Sequence, residues 1–334
     1  MKRRNFLTLV GVASASAWGA GFGGFRFSLS PIPGDPYPKC NQIPSYDKPL
    51  DKGARIVYKS FFPNLNVDTA RETSFSTQCY NCISWTLGIT DDWVWPLGQV
   101  GGDTSVADFD AFYQKHGIAR ATDATADIAL WGQTTPSGHV SATHGSIVSH
   151  APLWESKLGL YIRMRHGKDD LVGEQYGKII AYYKKDATAT QKLLATRQKL
   201  LSSRQPLSLN EYQKINQAVK KLPLRMQQTF DHLYTRWQQK WFDGAYAIDS
   251  NPYTRRHIGE YQMLIDLGAE MGEAILPLVV SRMVSPENIF GIVLYDELQK
   301  NPRLKAGYGD DFNVIEGEVA RALLSAKKYI TTFL

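Results

Sequence analysis

Gln78-Cys79-Tyr80-Asn81-Cys82-Ile83-Ser84-Trp85-Thr86-Leu87-Gly88 is the stretch on which the fold turns. Asparagine caps helix starts through its side chain and glycine ends helices, so the run predicts a short helix through Cys82, Trp85 and Leu87. Residues 105–116 (SVADFDAFYQKH) place Val106, Phe109, Ala111 and Phe112 on one helical face, with Gly117 as the stop. The period then changes. Ile128 to Trp131, His139 to Val148, Leu153 to Leu158 and Lys178 to Tyr183 read as strands. Helices followed by neighbouring strands predict an α+β unit with an antiparallel sheet.

From about residue 187 the strand signals stop. Ser208-Leu209-Asn210-Glu211 is a capping box ahead of Tyr212, Ile215 and Val219. Phe230, Leu233, Tyr234, Trp237 and Trp241 form a second helical stripe. Residues 258–267 predict a helix closed by Gly268, and Ala274 to Met283 another. Ser285-Pro286-Glu287 opens one running to Leu298, and Val314 to Phe333 is the last. These elements predict an all-helical domain, a bundle or a HEAT-like stack without a clean repeat.

Toward the N-terminus, residues 31–50 hold six prolines, which predicts an extended tether and no regular element. Before it stands Met1-Lys2-Arg3-Arg4-Asn5-Phe6-Leu7-Thr8, then a stretch without charge up to Arg26. A positive start, a weakly apolar run with five glycines in residues 6–25, and small residues around Ala13 to Ala20 have the layout of a cleaved secretory signal. The arginine pair resembles the twin-arginine variant, which implies an exported, periplasmic or extracellular protein. The expected organisation is a signal over residues 1–28, a tether over 29–50, an α+β domain over 51–186 and a helical domain over 187–334. No later segment of spanning length lacks charges, so no transmembrane segment is expected after signal removal.

The chain has 43% hydrophobic and 21% charged residues, an ordinary globular composition. Its 38 Lys and Arg against 32 Asp and Glu give +6, and without Lys2, Arg3 and Arg4 the balance is +3. That is too mild to imply a nucleic-acid partner. The charge is uneven: between Lys184 and Lys240 there are 12 basic and 3 acidic residues. Such a run is a solvated helix face or a dock for an anionic envelope polymer or lipid.

Three cysteines, at 40, 79 and 82, leave an odd thiol in an oxidising compartment. A cysteine at a helix start meets unpaired N–H groups and the positive end of the dipole, which favour the nucleophilic thiolate and can hold an oxyanion. The partner base would be a histidine on a neighbouring strand. Gly138-His139-Val140-Ser141-Ala142-Thr143-His144-Gly145 offers two, five apart, which face opposite sides of an unbroken strand. The alternative is structural: Cys82 as a buried core thiol and His144 as a satisfied sheet histidine. Cys79-x-x-Cys82 has no second Cys pair to complete a zinc site, and the polar run Arg71 to Gln78 does not resemble the strand that precedes a thioredoxin-like motif. No metal or cofactor is expected. Trp85, Trp93, Trp95 and Trp154 read as packing.

Tyr80-Asn81-Cys82-Ile83-Ser84-Trp85, Ile128-Ala129-Leu130-Trp131, Thr143-His144, Trp154-Glu155-Ser156-Lys157-Leu158-Gly159, His166 and Tyr176-Gly177 follow the order and spacing of an uncharacterised microbial domain. Its members look like papain-like folds of NlpC-type cysteine peptidases and amidases, and the resemblance covers about residues 50–185. It implies Cys82 as nucleophile and His144, ten residues before Trp154, as base. Ser156 matches the third polar position, with Glu155 as the stronger acceptor on the other side of the strand, and Gln78 or Tyr80 could add an oxyanion donor. A Cys40–Cys79 disulfide would then leave Cys82 free. The resemblance implies cleavage or transfer at an amide of a cell-wall peptide or protein. The rival is a catalytically silent binding or scaffold protein whose helical domain holds a protein or envelope partner. Residues 242–298 also resemble a helical module of uncharacterised microbial proteins, with no chemistry attached.

Overall fold

The structure is a computed structural model describing residues 40, 43–96, 104–135, 138–203, 205–305 and 316–334. The expected signal, most of the tether and the Val314 start of the last helix lie outside these residues. The first unit is an eight-stranded antiparallel sheet in the order β1-β2-β7-β6-β5-β4-β8-β3. Its strands are β1 (Lys48–Pro49), β2 (Arg71–Ser74), β3 (Ile118–Arg120), β4 (Ile128–Thr134), β5 (Val140–His150), β6 (Leu153–Lys157), β7 (Arg163–His166) and β8 (Lys178–Lys185). Helices α1 (Lys52–Phe61), α2 (Cys82–Thr86) and α3 (Val106–Lys115) belong to the same unit.

Cross-strand partners share a face, and neighbours along a strand alternate. Ile128, Leu130, Gly145, Ala181 and Tyr183 therefore point to one side. Helices α2 and α3 cover that side: the Tyr113 ring of α3 meets Tyr183 at a tilt, 4.7 Å between centroids, and its hydroxyl bonds Thr86 of α2 at 2.9 Å. Trp131, His144, Ser146, Trp154, Ser156, Met164 and His166 occupy the opposite face. Both faces are buried, as central strands of a two-sided sheet should be.

The remaining chain is helical: α4 (Ala187–Ser203), α5 (Leu209–Lys220), α6 (Leu224–Lys240), α7 (Gly244–Ile248), α8 (Gly259–Met271), α9 (Leu276–Met283), α10 (Gly291–Leu298) and α11 (Glu318–Phe333). The Ser208–Glu211 capping box opens α5 with both reciprocal hydrogen bonds present. Trp237, Trp241 and Phe290 meet edge to face at 4.8 and 5.0 Å, the geometry that ring quadrupoles favour. Trp93 of the sheet unit joins them, 5.0 Å from Phe290, so one apolar core runs through both units.

Four readings of local structure need correction. The end of the proline-rich segment is not a free tether, since Lys48 and Pro49 pair with Glu72 and Arg71 as an edge strand. The polar run after Arg71 does contain a strand; its charges are neutralised across the sheet edge, Glu72 by Lys48 at 3.0 Å and Arg71 by Asp47 at 2.7 Å. Gly268 does not end a helix. It lies inside α8 because Leu298 packs where its Cβ would be, at 2.4 Å, and Gly272 with φ +58° is the terminus. Ser285 opens only a 3₁₀ turn over Pro286–Asn288, and α10 starts afresh at Gly291.

Candidate active site

Asn81 builds the start of α2. Its side-chain oxygen accepts from the Ser84 N–H at 2.9 Å and its amide donates to the carbonyls of Val94 and Ser250. Cys82 is thereby fixed as the first residue of a five-residue helix that stops at Gly88, φ +77°. The strand beneath is Gly145, and glycine is required there: a Cβ would stand 2.9 Å from Ile83 Cδ1 and 3.1 Å from Thr86 Cγ2. Pairing between β5 and β6 begins only at Ile147 and Glu155. Short of that point, Cys82 Sγ accepts the Gly145 N–H at 3.3 Å.

The thiol is fully buried, and burial pushes its pKa up to about 12. The Ser250 hydroxyl, which faces the sulfur without a hydrogen bond, and the Gly145 N–H pull the other way, and Asp249 adds to the rise.

His144 lies on the opposite face from α2. The pairs Trp131–His144 and Gly132–Ala142 leave Thr143 as an extra residue, a bulge that resets the alternation of β5. The imidazole stacks on Tyr176 at 3.9 Å and 5°. Neither ring nitrogen has a hydrogen-bond partner, Cys82 included, and burial, with His166 nearby, holds its pKa well below 6.5. Thiol and imidazole are both driven to their neutral forms, the opposite of a thiolate–imidazolium pair. His139 is exposed at the start of the strand.

Ser156 serves a different histidine. Trp131 Nε1 donates to Ser146 Oγ at 2.8 Å, Ser146 and Ser156 hydroxyls meet at 2.7 Å, and Ser156 meets His166 Nε2 at 2.8 Å. His166 Nδ1 lies 2.6 Å from the Gly167 carbonyl, which can only accept. That fixes the proton on Nδ1, so the Ser156 hydroxyl donates to Nε2 and the Ser146 hydroxyl to Ser156. The network is buried and fully satisfied, and burial lowers the His166 pKa to about 4.

Glu155 points to the α2 side and pairs with Arg163 at 2.9 Å; burial raises its pKa against the pull of Arg163 and Arg165. Gln78 offers its carbonyl to Trp93 Nε1 at 2.7 Å. The Tyr80 ring lies against Trp85 and beneath the Lys157 ammonium, 5.1 Å away. Cys40 and Cys79 form a disulfide across a separation of 39 residues, and Cys82 is free.

Two features were not read from the sequence. Lys157 is buried and donates to the carbonyls of Thr77, Gly159 and Tyr161 at 2.9, 2.6 and 2.7 Å. Burial pushes its pKa well down, but three acceptors use all three N–H bonds of an ammonium, one more than a neutral amine has. The second is residues 247–251 of the helical unit, which close over the site. Ala247 O accepts from Leu160 N at 2.7 Å, Ile248 O from Tyr176 Oη at 2.8 Å, and Ser250 O from Asn81 at 3.2 Å. Gly159 admits this segment: its Cβ would meet Ala247 O at 2.4 Å. Arg255 ties the segment from behind, donating to the carbonyls of Tyr246, Asp249 and Asn251. Among the described residues, no group of three or more His, Cys, Asp or Glu side chains is placed to hold a metal ion.

Residues 71–184, from the first residue of β2 to the penultimate residue of β8, match a family described as a domain of unknown function (DUF7689). No curated protein and no solved structure matches the chain.

Proposed function

We propose that this chain is an exported, catalytically silent binding protein, in which a closed papain-like unit carries a helical unit that meets an envelope partner. The observation that carries the reading is the geometry of the pair: His144 is covered by Tyr176 with neither ring nitrogen bonded, and Cys82 is fully buried beneath residues 247–251, where burial favours the neutral thiol. A nucleophile needs the thiolate and a base within reach of its proton, and neither condition is met here. The Cys40–Cys79 disulfide supports an oxidising compartment and hence export by the Arg3-Arg4 signal.

Labelling with iodoacetamide across pH, with the modified residue mapped, tests this. Cys82 in the folded protein should react only as fast as the protein unfolds, equally in wild type and His144→Ala. Rapid alkylation below neutral pH that slows in His144→Ala would overturn the reading. It would establish the second one, a thiol hydrolase or acyltransferase acting on a peptide or protein amide. That reading draws on Cys82 standing first in α2 with the Gly145 N–H on its sulfur, and would require residues 247–251 and Tyr176 to move aside.

A further inference from the structure

The turn between α5 and α6 reads Lys220-Lys221-Leu222-Pro223-Leu224-Arg225. It is fixed at both ends, by Leu222 N donating to Val219 O and Met226 N to Pro223 O. Half-buried Leu222 anchors it, while Lys220, Lys221, Pro223, Leu224 and Arg225 are exposed. From residue 212 to residue 230 there are four cations and no carboxylate. The flanking acids are engaged: Glu211 by its capping box with Ser208, and Asp231 by Arg282 at 2.6 Å. Among the described residues, the side chains of Lys220, Lys221 and Arg225 meet no partner. Leu224, at the first position of α6, is 66% exposed.

We infer that this turn docks on an anionic lipid bilayer. Three unneutralised cations around a leucine form the two-part pattern of a peripheral membrane contact, phosphate headgroups meeting the charges while the apolar side chain enters the headgroup–acyl boundary. The leucine selects a bilayer over a dissolved polyanion, which stays hydrated and offers an apolar group nothing. The docking is peripheral, since among the described residues no helix is long and apolar enough to cross a membrane. This inference rests on the binding reading above and gives it a partner, a lipid headgroup surface.

Co-sedimentation of the full chain with vesicles tests it. Vesicles containing phosphatidylglycerol should carry the protein down at low ionic strength, while pure phosphatidylcholine vesicles should not, and salt should reverse the binding. Each of Lys220→Gln, Lys221→Gln and Arg225→Gln should weaken partitioning about fivefold. Leu224→Ser should weaken it about tenfold with every charge retained. All four positions are exposed, so these variants should melt as wild type does. Partitioning that survives the triple glutamine variant, or no sedimentation with anionic vesicles, would overturn the inference. Leu224→Ser binding as wild type, with soluble polyphosphate displacing the vesicles, would also overturn it by making a dissolved polymer the occupant. Cys82 labelling reads the silent state of the thiol separately, so either idea can fail alone.

Discussion

Replacing Lys157 with methionine tests how the buried ammonium holds the entrance of α2 in place. Methionine keeps most of the stem and removes the three N–H donors, leaving the carbonyls of Thr77, Gly159 and Tyr161 without them. An unsatisfied buried acceptor costs about 1–3 kcal/mol, so three would cost roughly 5 kcal/mol before relaxation. Removing an ammonium from a buried position also relieves its desolvation penalty, which offsets part of this. The expected net loss is about 3 kcal/mol, read as a shift in urea midpoint at constant m-value. The pH dependence then separates two accounts of the wild type. If the three carbonyls keep the ammonium charged, the difference between wild type and Lys157→Met is flat from about pH 6 to about pH 8. If burial wins and the folded amine is neutral, the unfolded chain binds one proton more in that window. The wild type would then gain about 1.4 kcal/mol per pH unit relative to the variant. A flat profile with a loss near 3 kcal/mol is expected. A rising profile, or a loss below about 1 kcal/mol, would refute the argument.

Reducing the Cys40–Cys79 bond, or replacing both cysteines by alanine, should cost about 4 kcal/mol from the 39-residue separation it closes, measured by denaturant titration. Ser156→Ala breaks the Ser146–Ser156–His166 chain and should destabilise by about 2–3 kcal/mol, without the change in Cys82 labelling that a residue orienting a catalytic base would show. His166, whose pKa falls to about 4, binds fewer protons folded than unfolded between that value and about 6.5. Its contribution is complete above about pH 6.5 and is lost as acid approaches pH 4, roughly 3 kcal/mol in all. His166→Gln should flatten the acid limb of the stability profile, and an unchanged limb would show that this histidine titrates normally. Gly145→Ala should cost about 1–3 kcal/mol in thermal melts, because its methyl group would press on Ile83 and Thr86 of α2.

What the sequence showed and what it hid divide along physical lines. The Ser208–Glu211 box and the Asn81 cap are local signals, spelled within four residues, and both helix starts lie where that chemistry puts them. Apolar runs such as Ile128 to Trp131 are legible because a strand buried on both faces is apolar throughout. Arg71–Ser74 and Arg163–His166 escaped because they pair near the sheet edge, where charges meet across strands and no apolar pattern is required. The bulge at Thr143 was invisible to counting, and one inserted residue is enough to turn His144 to the other face. Ser250 comes to face Cys82, and Lys157 to bond Thr77, across long stretches of chain, which no local motif encodes.

The manner in which residues 247–251 are held has a consequence for what can be cut from this protein. Carbonyls of that segment are bound by Leu160, Tyr176 and Asn81 on one side and by Arg255 on the other, and Gly159 is shaped to receive it. A chain shortened after β8 would keep the stretch that matches the family of unknown function, yet would open the groove over Gly159 and bare Trp93 to water. The two units should therefore melt in a single calorimetric transition, and the sheet unit expressed alone should aggregate. The cooperative unit of folding is then larger than the segment, residues 71–184, that matches the family of unknown function.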